Sequence, residues 1–188
     1  LHSFPTRRSS DLWQNFVKIS FMEEAELDAV DWALLDALQQ DAALSNQALA
    51  ARVHVSPPTA LRRVRRLHEL GLIERQVAVL NEDAVARRLG HGLSVIAEVS
   101  LDRQGSEWLD AFERRAVQEA AVQQCWRVSP GPDFVLVLRV RDMPGWHALA
   151  QRLFTQDANV RNVKTFFAVH RGKFETRLPL DKEKEAGR

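Results

Sequence analysis

The stretch Val55-Ser56-Pro57-Pro58-Thr59-Ala60-Leu61-Arg62-Arg63-Val64-Arg65-Arg66-Leu67-His68-Glu69-Leu70-Gly71 decides how this 188-residue chain reads. Ser56 suits an N-cap, since a serine oxygen can accept from the free amides of a first helical turn. Pro57 suits the first helical position, where a missing amide is no loss, and Gly71 supplies the stop. Within the helix Ala60, Val64 and Leu67 share one face, while Thr59, Arg62, Arg63 and Arg66 fall largely on the opposite one. One face packs and the other is basic. Between Ser56 and Arg75, Arg62, Arg63, Arg65, Arg66 and Arg75 stand against Glu69 and Glu74, a local excess of three positive charges. An element that faces phosphate needs such an excess. The whole chain hides it, because 26 basic residues against 25 acidic ones leave a formal charge of +1.

Upstream, Leu27, Val30, Leu34, Leu35 and Leu38 recur at helical spacing, with Asp28, Asp31 and Asp36 read on the other side. Ser45 can cap a second helix with Leu49 and Val53 as its buried positions, and His54-Val55 is the turn into the third. Three helices with the basic one last make a helix-turn-helix. Arg62 and Arg66 are then candidates to reach base edges and Arg63 to grip phosphate. Ser56, Pro57 and Thr59 sit at the helix start that approaches the groove, although Ser56 can serve equally as a cap. After Gly71 the segment 72–80, LIERQVAVL, predicts a strand or small wing, and 81–90 a linker with a short helix over 83–89.

Beyond Gly90 the period becomes two. Leu93, Val95, Ala97, Val99 and Leu101 alternate with Ser94, Ile96, Glu98 and Ser100 as a strand. Trp108, Leu109, Phe112 and Ala116 follow at helical spacing, and 122–128 is a second strand. Pro130-Gly131-Pro132-Asp133 is a turn, 134–140 a third strand, 145–154 a helix with Trp146, Leu149, Ala150, Leu153 and Phe154 as its stripe, and 160–169 the last strand. The order βαββαβ is the ferredoxin-like arrangement. Its helices cover one face only, so the other, with Ile96, Val135 and Val137, needs a cover, and a second copy of the chain is the simplest.

These elements define an α+β chain with an N-terminal winged helix-turn-helix and a C-terminal ferredoxin-like βαββαβ domain. The partition is an extension over 1–22, a DNA-binding domain over 23–80, a linker over 81–90, a ferredoxin-like domain over 91–180 and a solvated tail over 181–188. Arg7 and Arg8 could form a basic arm, but 1–22 lacks apolar periodicity and reads as a disordered or non-native extension. The chain is 45% hydrophobic and 27% charged, an ordinary globular balance. A lone cysteine, Cys125, excludes an internal disulfide and reads as a packing residue; with no membrane span or secretory core, the expected setting is the cytoplasm. His54 and His68 lack metal-site spacing, so no metal and no cofactor is expected. Trp108, Trp126 and Trp146 read as core.

The residues of this chain resemble those of the Lrp/AsnC (feast/famine) regulators over about 27–180. Leu27-Asp28-x-x-Asp31-x-x-Leu34-Leu35 is similar to the family's first helix, and Leu49-Ala50-x-x-Val53-x-Val55-Ser56-x-x-Thr59 to its helix-turn-helix. Arg62-Arg63-Val64-x-Arg66-Leu67-x-x-Leu70-Gly71-Leu72-Ile73 resembles its recognition helix and exit, and Leu178-Pro179-Leu180 its end. The resemblance implies a RAM-type ligand-sensing and oligomerisation domain over 91–180, double-stranded DNA and an amino-acid effector as partners, and a homodimer or higher oligomer. It places the effector near Ser129, Gly131, Asp133 and Phe134, where Asp133 either orients a ligand ammonium or makes a turn hydrogen bond. Where the family carries glycine directly after Ser or Thr, this chain has Pro130 between Ser129 and Gly131, and a proline without an amide donor reshapes such a pocket. An enzyme reading also exists, since some haem-pathway decarboxylases are similar in fold. The corresponding strand here, Cys125-Trp126-Arg127-Val128-Ser129, holds no histidine, so catalysis is not expected. An architectural protein without sequence preference differs from a regulator only in how it reads bases.

Overall fold

Asp28 opens the first helix, α1 (Ala29–Gln40), by accepting from the amides of Val30 and Asp31, while the Asp31 carboxylate accepts from the Asp28 amide, a complete capping box. The chain is seen in a computed structural model that describes residues 26–90 and 92–180, so the expected extension over 1–22 and tail over 181–188 lie outside the described residues. Helix α2 (Asn46–Arg52) begins at Ser45, whose hydroxyl accepts from the Ala48 amide, and its successor α3 (Pro57–Glu69) begins with Ser56 at the cap position. The turn between them is made by His54 at φ 58°. Gly71, at φ 70°, ends α3 in a Schellman motif, with the Gly71 and Leu72 amides donating to the carbonyls of His68 and Leu67. Leu34, Ala37, Leu49, Ala50, Val53, Ala60 and Leu67 form the core of this unit, which includes both positions expected from the second helix.

One expectation for this half is corrected. Residues 74–80 form neither strand nor helix, and Val77, Val79 and Leu80 are exposed, because no second strand among the described residues pairs with them. The chain from Glu175 on belongs to the first compact unit, which otherwise ends at Ala78. The Gln39 side chain holds it there, donating to the Leu178 carbonyl and accepting from the Leu178 amide, each at 2.9 Å, beside an Arg177–Asp36 ion pair at 2.8 Å.

The second compact unit spans Val79–Phe174. It starts with α4 (Glu82–Leu89), the short helix expected within 81–90 and one residue longer at its start; Glu82 pairs with Arg139 at 2.8 Å and Arg171 at 2.9 Å. Then follow β1 (Leu93–Leu101), α5 (Ser106–Ala116), β2 (Val122–Arg127), β3 (Phe134–Val140), α6 (Met143–Ala150) with a π-helical turn (Gln151–Thr155), and β4 (Val160–Phe167). The sheet order is β2-β3-β1-β4, antiparallel throughout, as the βαββαβ reading requires. The alternation of β1 places Val95, Ala97, Val99 and Leu101 in the core with Phe134, Leu136 and Leu138 of β3 and Phe112 of α5. Register places Trp126, Val135, Glu98 and Lys164 in one row across the opposite face, and Gln124, Val137, Ile96 and Phe166 in the next. Trp126 is therefore exposed, not core as expected, while Trp146 is buried. No helix among the described residues is long and apolar enough to cross a membrane.

Candidate nucleic-acid interface and effector cavity

Helix α3 is fixed at its start from outside, where the Asn46 side-chain amide donates to the Pro57 carbonyl at 2.8 Å. Ser56 occupies the cap position but its hydroxyl bonds Thr59 Oγ1 at 2.8 Å instead of a first-turn amide. Pro57 sits at the first helical position, as its missing amide allows.

The four arginines that read as one basic group are split by α1. Asp31, 1% exposed, accepts from Arg63 Nη1 at 2.9 Å through Oδ1 and from Arg66 Nη1 at 3.2 Å through Oδ2. Arg63 Nη1 also meets Asp28 Oδ2 at 2.8 Å, and Arg63 Nε is buried without a partner. The first-helix spacing had put Asp31 on the solvent side; the structure buries it, because two guanidiniums match its charge. Arg63, expected at phosphate, is sunk between two carboxylates, and Arg66 keeps part of its guanidinium in water. Hydrogen bonds donated to the Asp31 and Asp28 carboxylates hold the pKa of the Arg63 guanidinium above its ordinary value. The Asp31 amide, and next the Arg63 side chain, hold the Asp28 carboxyl below the usual aspartate range. Arg62 and Arg65 are exposed and have no ion-pair partner among the described residues.

In the second unit a cavity of about 200 Å³ opens on the helix-free face of the sheet, lined by Glu98, Ser100, Gly131, Pro132, Asn162 and Lys164. Of the four residues expected at an effector, only Gly131 reaches it. Ser129 is exposed in the preceding turn, joined to Pro130 by a cis peptide bond. The Asp133 carboxylate accepts from the Leu101 amide at 2.7 Å, so the turn-type hydrogen bond is the alternative realised. Phe134 lies on the other side of the sheet, fully buried against Phe112 with ring centroids 4.8 Å apart. Glu98, Ser100, Asn162 and Lys164 were missed, although the alternation of β1 already put Glu98 and Ser100 off the core face. Among the described residues no group of three or more His, Cys, Asp or Glu side chains could hold a metal ion.

A helix-turn-helix joined to a ferredoxin-like sheet with a polar cavity on its open face defines a DNA-binding regulator with a small-molecule module. The model of the AsnC-type helix-turn-helix domain matches residues 27–68, and that of the Lrp/AsnC ligand binding domain matches 94–178. An HTH-type transcriptional regulator of Haemophilus influenzae is 36% identical over 154 residues, spanning 82% of this chain and 89% of its own. The leucine-responsive regulatory protein of Rhizobium meliloti is 35% identical over 148 residues, 79% of this chain and 92% of its own. A transcriptional regulator of Neisseria meningitidis, solved as its L-Met complex, superposes with a TM-score of 0.73 at 26% identity, covering 82% of this chain and 97% of that one. The chain belongs to the Lrp/AsnC family and is a transcriptional regulator of that type. Nothing in these matches supports the decarboxylase alternative.

Proposed function

We propose that two or more copies of this chain grip double-stranded DNA through α3 and release or tighten that grip when an amino acid enters the sheet-face cavity. The observation that carries the reading is the exposed basic surface of α3, with Arg62 at its centre, in a helix-turn-helix. The helix start, with Ser56, Pro57 and Thr59, approaches the DNA; the Ser56 and Thr59 hydroxyls and the positive end of the helix dipole suit a phosphate there. Arg66, held by Asp31, keeps a water-facing side that suits a flanking phosphate and not a base edge, and Arg63 supports the helix from behind.

For the effector, Glu98 and Lys164 are cross-strand partners of opposite charge at one cavity. They match the ammonium and carboxylate of a free amino acid, the ligand class carried by the Neisseria regulator. Gly131 and Pro132 form the rim. The open face, with Ile96, Trp126 and Phe166 exposed, suits a second copy as its cover. Affinity for specific and random duplexes measured against salt tests the DNA half: Arg62→Ala should erode discrimination about tenfold. Calorimetric titration of each amino acid tests the effector half, with Glu98→Gln and Lys164→Gln each expected to abolish any heat. No sequence preference in the first assay, or unchanged titrations for both variants in the second, refutes the corresponding half.

A further inference from the structure

On an ideal α3, residues 58, 61, 62 and 65 are joined by steps of three and four, so Pro58, Leu61, Arg62 and Arg65 form one contiguous patch. The patch is centred on the side opposite Ala60 and Leu67, which are fully buried. Arg63 and Arg66 lie to one flank, where Asp31 holds both. Thus the outward side of the helix carries two arginines without ion-pair partners among the described residues and, beside them, a leucine that is 52% exposed. An exposed leucine beside two cations is poorly explained by packing, since it contributes to neither core cluster.

We infer that Leu61 reads a thymine methyl group in the major groove, with Arg62 and Arg65 reading guanine beside it, and that Asp31 sets this register by taking Arg63 and Arg66 off the reading surface. This rests on the DNA-binding function proposed above. The chemistry is that of the groove edge: thymine alone presents a C5 methyl there, and guanine presents the N7 and O6 acceptors that fit a guanidinium. Leu61 and Arg65 are separated by about 6 Å along the helix axis, close to two base-pair steps of about 3.4 Å. The preferred half-site therefore holds a thymine within about two steps of a guanine. Glu69, exposed one turn beyond Arg65, places a negative charge at the far end of the helix and confines the contact to the first two or three turns.

The test uses the full chain. A preferred duplex is selected from a random pool, and each thymine of the half-site is replaced in turn by deoxyuridine, which differs only in lacking the methyl. The wild-type chain should lose about three- to tenfold in affinity at one such position, while Leu61→Ala should bind the two duplexes equally. Arg65→Ala should relax the neighbouring guanine preference about tenfold, and Arg114→Gln, the same loss of charge at an exposed position of α5, should leave both preferences intact. Because Leu61, Arg62 and Arg65 are exposed, an unchanged melting temperature confirms that these variants fold. The inference is overturned if wild type tells thymine from deoxyuridine by less than twofold at every position, if Leu61→Ala still discriminates, or if Arg65→Ala leaves the guanine preference unchanged. A wild-type chain that selects no sequence at all fails the DNA reading itself, a result distinct from selection without methyl sensitivity.

Discussion

Replacing Asp31 by Asn removes the charge from the only buried ionised side chain among the described residues while leaving its shape almost unchanged. Removing one member of a buried ion pair typically costs about 3–5 kcal/mol, because the partner keeps its charge without compensation. Here the partners are less enclosed: the Arg63 and Arg66 side chains are 22% and 36% exposed, and Asp28 still reaches Arg63 at 2.8 Å. Asparagine also retains one oxygen to accept from an arginine. Both effects bring the expected loss to about 2 kcal/mol. For a unit of this size each kcal/mol moves the midpoint by about 4–8 °C, so the first unit should melt roughly 8–16 °C lower. Differential scanning calorimetry combined with hydrogen exchange on α1 and α3 would separate this transition from that of the sheet unit. A triple substitution of Asp31→Leu, Arg63→Met and Arg66→Met should recover most of the loss, since buried charge networks are often replaced by apolar side chains at little cost. A midpoint within about 2 °C of wild type for Asp31→Asn, with unchanged protection of α3, would refute the clamp.

Asp28 gives the first unit an acid limb. Its carboxyl is held below the ordinary range by the Asp31 amide and Arg63, so its contribution is complete above about pH 4 and is lost as pH falls through the lowered value. Asp28→Asn should therefore flatten the fall in melting temperature of that unit as pH drops below about 4. Phe134→Ala, which empties a fully buried site against Phe112, should cost about 3–5 kcal/mol in the sheet unit while leaving hydrogen exchange in α3 unchanged. Gly71→Ala should cost about 1–2 kcal/mol by equilibrium denaturation, because a Cβ there meets nothing within 4 Å and only the left-handed backbone at φ 70° is strained; Gly71→Asn should cost less.

Signals that are local in the chain carried most of the fold. The ends of α3 were legible because a proline and a glycine act through their own backbone, at Pro57 and Gly71. The sheet was legible because Val95, Ala97 and Val99 alternate with polar neighbours, and a strand assigns every second residue to the core. The burial of Asp31 was also written in the spacing, since it stands four residues after Leu27 and three and four before Leu34 and Leu35, inside the apolar stripe. Its polarity argued against that position, and the cations that overrule the argument lie 32 and 35 residues further along. No local pattern reports a partner so distant. The strand expected over 72–80 failed for a related reason: alternation can prepare Val77 and Val79 for a sheet, but hydrogen-bond partners must come from another segment.

In both candidate sites the structure gives some of the expected residues a bond or packing contact within the fold. Arg63 and Arg66 drew attention by charge, and Asp133 and Phe134 by their place beside a turn, yet each serves the fold that holds a neighbouring residue outward. Arg63 anchors α3 so that Arg62 and Arg65 face solvent. Asp133 ties the turn to the Leu101 amide, and Phe134 fills the helix-side core, so that Gly131 and Pro132 project over the opposite face beside Glu98 and Lys164. In a sheet only about 10 Å from its packed layer, a side chain cannot serve core and ligand together, because alternate residues point to opposite sides. The residues free to meet a ligand are therefore those that alternate with the core positions. By that rule Glu98 and Ser100 follow from Val99 and Leu101, and Lys164 follows from Glu98 through the β1–β4 register.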